Sequence, residues 1–344
     1  MGLGGNLIWT AVFKALNEAE GKPVLVAHKP LLSDLLCGRL HDSGVDLNAD
    51  PVFKGNPRLQ FTPTKPKNAL ARFVDLCFTI LIRPGPLLRA YELAVFAVAE
   101  RLSRRRGWHL VHINMLIHSY AASQRADRLV WKRGGHAIET IARRFTDRRP
   151  GLDCEIYFDS AEEARAQELL RASGLRRPFI VLEPDTNRDW FGELRAWPFE
   201  RWQALVDRLT ATMPEIQIVQ IGLSQSRPLR GIIDLRGQTS FREAGLLLRE
   251  STLFIGTEGG LVHVANAVKA RAVIIWGGVT LPEFAGYADR HTILCNYTHC
   301  APCGHSGWCD NGHICMNNIG TDSVFETVVG VLNQSIGPGV RSPL

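Results

Sequence analysis

Leu253-Phe254-Ile255-Gly256-Thr257-Glu258-Gly259-Gly260-Leu261-Val262-His263-Val264-Ala265-Asn266-Ala267 reads as a buried strand, a tight glycine turn and a new helix. The apolar run stops at Gly256, an acid follows at Glu258, and two glycines precede the next helical pattern. In open parallel sheets, ligands bind beyond the carboxyl ends of the strands. Glycine lets a ligand approach the backbone closely. A helix start offers unpaired N–H groups and a positive dipole end to a diphosphate. Glu258 can accept hydrogen bonds from sugar hydroxyls. His263 lies three residues past Gly260, one turn into the helix, and can face the same cleft. Glu258, Gly259, Gly260 and His263 are therefore candidate residues for binding a ligand that carries a diphosphate and sugar hydroxyls.

The neighbouring sequence repeats the strand-then-helix pattern. Strand-length apolar runs occur at Phe179-Ile180-Val181-Leu182, at Ile216-Gln217-Ile218-Val219-Gln220-Ile221 and at Ala272-Val273-Ile274-Ile275-Trp276. Such runs, separated by helical stretches, predict a parallel sheet covered on both faces. Ser160 with Glu163 predicts a capping box before a helix at 164–170, and Ser240 with Glu243 another before a helix ending at Leu248. Pro198 suits the first turn of a helix over 202–209. Four strand-end loops should then share one edge of one sheet. The loop after the first run carries Thr186, Arg188 and Arg195, whose hydroxyl and guanidinium groups suit phosphate oxygens. Gly222-Leu223-Ser224 and Trp276-Gly277-Gly278-Val279-Thr280 are two more of these loops.

The first half carries strand-like runs at Val24-Leu25-Val26-Ala27 and at 108–115. Gly2-Leu3-Gly4-Gly5-Asn6 precedes an apolar helix at 7–16 and reads as a glycine loop opening it. Such a loop normally follows a first strand, so this domain is expected to lack its first strand or to begin at an upstream start. Arg148-Arg149-Pro150-Gly151 is turn-rich and marks the boundary between an N-terminal domain, 1–155, and a C-terminal domain, 156–344. The length of 344 residues suits two domains of roughly 100–200 residues each.

With 45% apolar residues and 22% charged, the composition excludes disordered, collagenous and coiled-coil classes. The net charge of +6 is spread along the chain rather than gathered in a nucleic-acid stripe. It suits an anionic small molecule or an anionic membrane-linked acceptor. The opening residues lack the pattern of a secretory signal, which predicts a cytoplasmic protein. No run reaches the roughly 18 apolar residues of a spanning helix. Residues 69–102 read as two apolar helices joined at Arg83-Pro84-Gly85-Pro86 and ending in Arg104-Arg105-Arg106. The commoner cause is two core-facing helices. The other reading is a surface hairpin with a basic rim, resting peripherally on the inner face of an anionic membrane.

The second half resembles the family-nine glycosyltransferases, which include the lipopolysaccharide heptosyltransferases. The resemblance rests on Arg195-x-Trp-Pro with Glu200-Arg201-Trp202, on Asp234-Leu235-x-Gly237-x-Thr239-Ser240, on Glu258-Gly-Gly-Leu-x-His263-x-Ala265 and on Cys315-Met316-x-x-Ile319. It covers residues 150–330, with a thinner match at Gly5-Asn6-Leu7-Ile8. It implies a GT-B fold, two Rossmann-like domains with parallel sheets facing a central cleft, acceptor domain first and donor domain second. It also implies an inverting transfer of a heptose or similar sugar from a nucleoside-diphosphate sugar, ADP-heptose or a relative, to a glycolipid or protein acceptor. No cofactor is required, because cations and helix N-termini stabilise the leaving group.

Two departures from the family pattern stand out. Glu258 and Gly259 replace the usual Asp and Ser or Thr. Asn6 replaces an Asp expected to be the general base, and an amide cannot take a proton at neutral pH. His118, His112 or His28 would then serve in its place, with His118 and Asn6 the catalytic candidates. Two other functions stay open: a nucleotide-sugar epimerase, and a degenerate sugar-nucleotide binding protein without catalysis.

Five of the eight cysteines fall within residues 295–315. The pattern Cys300-x2-Cys303-x5-Cys309-x5-Cys315 could close a tetrahedron around a structural zinc or iron ion, with His299, His305 and His313 as spare ligands. A reducing cytoplasm favours metal over disulfides. The alternative is a set of reduced cysteines packing a loop.

Overall fold

The computed structural model describes residues 3–27, 50–60, 86–105, 110–112, 135–143, 145–185, 192–304 and 308–336, together with 69, 70, 73, 76 and 77. The first half holds helix α1 (Leu3–Glu20), strands β1 (Val24–Ala27) and β2 (Leu59–Gln60), helix α2 (Pro86–Arg105), strand β3 (Leu110–His112) and helix α3 (Ala137–Ala142). The second half runs α4 (Ser160–Ala172), β4 (Phe179–Glu183), α5 (Gly192–Arg195), α6 (Phe199–Thr212), β5 (Gln217–Gln220) and β6 (Ile233–Asp234). It continues with α7 (Phe241–Glu250), β7 (Leu253–Thr257), α8 (Gly260–Ala267), β8 (Ala272–Trp276), α9 (Pro282–Ala285), β9 (Thr292–Cys295), α10 (Ile314–Asn317) and α11 (Thr321–Ile336).

Both sheets are parallel. The described strands of the first half pair in the order β2-β1-β3, and those of the second in the order β6-β5-β4-β7-β8-β9. Renumbered from its own first strand, the second order is that of a dinucleotide-binding fold. The strands expected at 24–27, 179–182, 216–221, 253–256 and 272–276 are present within a residue of their sequence-predicted limits, and of the run expected at 108–115 the described part is β3 at 110–112. Alternation along β4 explains why the run is continuously apolar. Phe179 and Val181 join the core on one face, Ile180 and Leu182 the core on the other. Helices α7 and α8 cover the first face through Leu247, Leu248, Val262 and Val264. Helices α6 and α11 cover the second through Trp202, Leu205, Val324 and Val328.

The halves share a core. Leu7, Val12, Phe13 and Leu16 of α1 are fully buried and belong to the same cluster as α8. The connecting segment is bonded to both helices: the Glu155 amide donates to Thr10 Oγ1 at 2.8 Å, and the Cys154 amide to Asn266 Oδ1 at 2.7 Å. Arg58 grips Glu155 with two bonds, at 2.7 and 3.0 Å.

Three local expectations are corrected. The capping box at α4 is Asp159 with Glu162, not Ser160 with Glu163. Pro198 is the residue before α6 rather than inside its first turn. Gly4, Gly5 and Asn6 lie within α1 rather than in a loop before it, because at Gly4 the glycine serves close packing instead of a turn. Ser240 and Glu243 form the predicted capping box of α7.

Candidate functional site

In the six-stranded sheet the chain order runs outward in opposite directions from the β4–β7 pair. That crevice is where ligands bind in such sheets. Because β4, β5, β7 and β8 are parallel neighbours, the four expected loops do leave from one edge. Three of them meet. Arg195, at the end of α5, places Nη2 3.0 Å from Glu258 Oε1. Thr280, beyond β8, donates its hydroxyl to the same oxygen at 2.5 Å, and its carbonyl accepts from Trp276 Nε1 at 3.1 Å.

Glu258 is buried, and its other oxygen, Oε2, has no hydrogen-bond partner among the described residues. Burial pushes its carboxyl upward, while Arg195 and Thr280 pull it back. One oxygen is thus fixed by protein, while the other is buried without a partner, which is costly for a polar atom.

Gly259 is the N-cap of helix α8, which has no side-chain cap. A β-carbon on Gly4 would lie 2.8 Å from both the Gly260 α-carbon and His263 Cδ2. The N-termini of α1 and α8 therefore touch, and two positive dipole ends converge. The side of Gly260 facing Gly4 is thus closed by the first helix. Asn6 lies two residues beyond Gly4, half-buried in the first turn of α1.

His263 shares a hydrogen bond with the Tyr287 hydroxyl through Nδ1 at 2.6 Å. The hydroxyl of fully buried Tyr287 also lies 3.2 Å from Cys154 Sγ. Around the Tyr287 ring stand His136, His263 and His291, with centroids at 5.2, 5.6 and 5.8 Å. Burial holds all three imidazoles well below the usual value of 6.5, His263 at about 3 and His136 and His291 at about 4. His263 is accordingly neutral. The Arg195 charge adds to its depression.

Glu183 closes β4 in register with Gly256 and on the same face as Phe179 and Val181. Burial, with Asp185 nearby, raises its carboxyl to about 8.

Arg195, Glu258, Gly259, Gly260 and His263 thus lie near one another at this edge of the sheet. Thr186, Arg188, His118, His28 and His305 lie outside the described residues, and for His112 the structure describes the backbone position on β3 alone. Cys300, Cys303, Cys309 and Cys315 line one small hollow with His313 and Leu194. Even so, no group of three Cys, His, Asp or Glu side chains among the described residues is arranged to hold a metal ion. Sequence reasoning missed Thr280, Tyr287 and Glu183 as site residues. Thr280 and Glu183 sit at strand ends, a usable signal; Tyr287 offered none, since its role comes from distant packing.

A family model described as glycosyltransferase family 9 (heptosyltransferase) matches residues 140–311. Lipopolysaccharide heptosyltransferase 3 of Escherichia coli (strain K12) is 24% identical over 162 residues, 41% of this chain and 45% of that relative. The match thus spans less than half the length of that curated relative. Among solved structures, a glycosyl transferase family 9 protein from Veillonella parvula DSM 2008 is 14% identical with a TM-score of 0.61, over 97% of this chain and 96% of its own. The E. coli ADP-heptose lps heptosyltransferase II is 14% identical with a TM-score of 0.57, over 97% of each chain. These likenesses show a GT-B fold.

Proposed function

The chain belongs to glycosyltransferase family 9, and from that premise we propose that it is an inverting glycosyltransferase moving a heptose or similar sugar from a nucleoside-diphosphate sugar to a lipopolysaccharide-type or protein acceptor. The observation that carries this reading is the Arg195–Glu258–Thr280 junction beside the start of α8. Residues 156–344 are the donor domain and 1–155 the acceptor domain.

In this reading the donor diphosphate lies against Arg195 and the Gly259 and Gly260 backbone, joined by Thr186 and Arg188. The unpartnered Glu258 oxygen accepts a sugar hydroxyl, and neutral His263 bonds the donor. The acceptor oxygen attacks the anomeric carbon as the bond from that carbon to the diphosphate oxygen breaks. The electron pair leaves with the diphosphate, where Arg195 and the helix start stabilise it. The acceptor proton passes to a base. Asn6 cannot take it, and His118 is the residue we nominate. A second reading, a sugar-nucleotide binding protein without turnover, is favoured by Asn6 itself.

Incubation with ADP-heptose, with and without lipopolysaccharide core or protein acceptors, separates the readings. Acceptor-dependent release of ADP supports transfer. Sugar conversion without acceptor identifies an epimerase, and binding without turnover supports the second reading.

We place the protein in the cytoplasm, in peripheral contact with an anionic membrane. Leu70, Phe73 and Leu76 are exposed, as are Arg101, Arg104 and Arg105 along α2, and exposed apolar and basic side chains suit a lipid surface. No helix among the described residues is long and apolar enough to cross a membrane. Flotation with anionic but not neutral vesicles is expected; no flotation with either refutes the contact. The shared lining of Cys300, Cys303, Cys309 and Cys315 supports a structural zinc or iron ion, which requires the thiols to draw closer than they stand. One ion per chain by elemental analysis is the expected result, and none refutes it.

A further inference from the structure

We propose that residues 300–317 brace the donor site, and that His313 is the positioning residue for Arg195. The inference rests on the reading of Arg195 as the diphosphate-binding cation.

The segment holds both partners of Glu258 by their backbones. On the Arg195 side, His313 Nε2 lies 2.8 Å from the Leu194 carbonyl. A carbonyl accepts only, so Nε2 carries the proton. That carbonyl belongs to the peptide unit from which Arg195 springs, so the bond fixes the plane that aims the guanidinium. On the Thr280 side, the amides of Cys303 and Gly304 donate to the carbonyls of Gly278 and Val279 at 2.8 and 3.0 Å. Packing at this junction is tight. A β-carbon on Gly278 would lie 3.2 Å from Ala301 Cβ and 3.3 Å from Cys315 Sγ, and one on Gly277 would lie 3.1 Å from Met316 Sδ and 3.3 Å from the Leu194 carbonyl.

The backbone at His313 gives a second, independent sign. His313 opens α10 in the left-handed region, at φ 56° and ψ 34°. Glycine adopts that conformation more readily than any residue with a β-carbon. The side chain that His313 carries there contacts the Leu194 carbonyl.

The test is calorimetric titration of the full-length protein with ADP, comparing wild type, Arg195→Ala, His313→Gly, His313→Gln and the double variant Arg195→Ala/His313→Gly. His313→Gly suits the backbone and keeps the fold, which an unchanged melting temperature checks. It should weaken ADP roughly 3- to 10-fold, the range of one ordinary hydrogen bond. His313→Gln, whose amide can reach the same carbonyl, should recover most of that affinity. In the Arg195→Ala background, His313→Gly should change affinity less than about twofold, since the residue acts through the arginine. Arg195→Ala with undiminished ADP affinity sinks the site assignment itself. Arg195→Ala weak but His313→Gly unchanged overturns the brace alone, as does equal loss in His313→Gly and His313→Gln, or an additive loss in the double variant.

Discussion

Arg242→Ala should cost about 3 kcal/mol of unfolding free energy at pH 7. Arg242 on α7 is 7% exposed and meets Glu162 on α4 through two bonds, Nε to Oε1 at 2.7 Å and Nη2 to Oε2 at 2.8 Å. Its Nη1 donates to the Pro51 carbonyl at 2.8 Å, and Lys54 Nζ reaches Glu162 at 2.9 Å and Asp159 at 2.7 Å. One buried carboxylate thus ties α4 and α7 to the 50–60 segment of the first half. The Arg242 bonds chiefly hold the Glu162 carboxyl at about 2, against an ordinary 4.5. At about 1.4 kcal/mol per pH unit, that gap corresponds to about 3.5 kcal/mol for all of the Glu162 partners together. Truncating one partner of a buried pair costs about 3–5 kcal/mol by a separate route, and Lys54 places the expectation at the low end. The sign follows from linkage. The folded value lies below the unfolded one, so the stabilisation is complete above pH 4.5 and is lost as pH falls toward 2, about half of it remaining near pH 3. Urea unfolding can be followed through buried Trp197, Trp202 and Trp276. A gap below about 1 kcal/mol at pH 7, or one that widens in acid, would refute the argument.

Three further outcomes are expected. The imidazoles of His136, His263 and His291 sit below their unfolded value of 6.5, so the unfolded chain binds more protons and stability should fall as pH drops below 6.5; a melting temperature that is flat from pH 7 to 5.5 contradicts this. Glu183 is the opposite case: its raised value of about 8 means charging opposes folding as pH rises from 4.5 to 8, so Glu183→Gln should gain stability over wild type at pH 8 and little at pH 4.5, and equal effects at both would count against it. Gly4→Ala would ordinarily stabilise a helix by about 1 kcal/mol, but here the new methyl meets Gly260 backbone and His263, so a net loss of about 1–2 kcal/mol is expected, and a raised melting temperature would show that the two helix starts are not in contact.

The donor half was legible because its signals are local. Four apolar runs ended in turn-forming loops, and parallel pairing then carried those loops to one edge without further information. The capping box of α4 shows the limit of local reading. Asp159-Ser160-Ala161-Glu162 and Ser160-Ala161-Glu162-Glu163 both fit the pattern. Arg242, eighty residues away, decides between them by drawing Glu162 inward. Gly4 misled for a similar reason: glycine marks a turn in isolation, but here it marks a helix-to-helix contact with Gly260. Tyr287 was silent because Cys154 and His136, which surround it with His263 and His291, come from distant parts of the chain. Thr280 was named as part of a loop, yet only sheet order shows that it reaches Glu258.

The central claim is that strand-end loops of the second half hold a nucleotide sugar, and the most direct measurement is the affinity of Glu258→Ala for ADP-heptose by calorimetry. The account predicts that wild type binds and that the variant, losing the carboxylate shared by Arg195 and Thr280, shows no measurable heat of binding. Undiminished affinity in Glu258→Ala would contradict it.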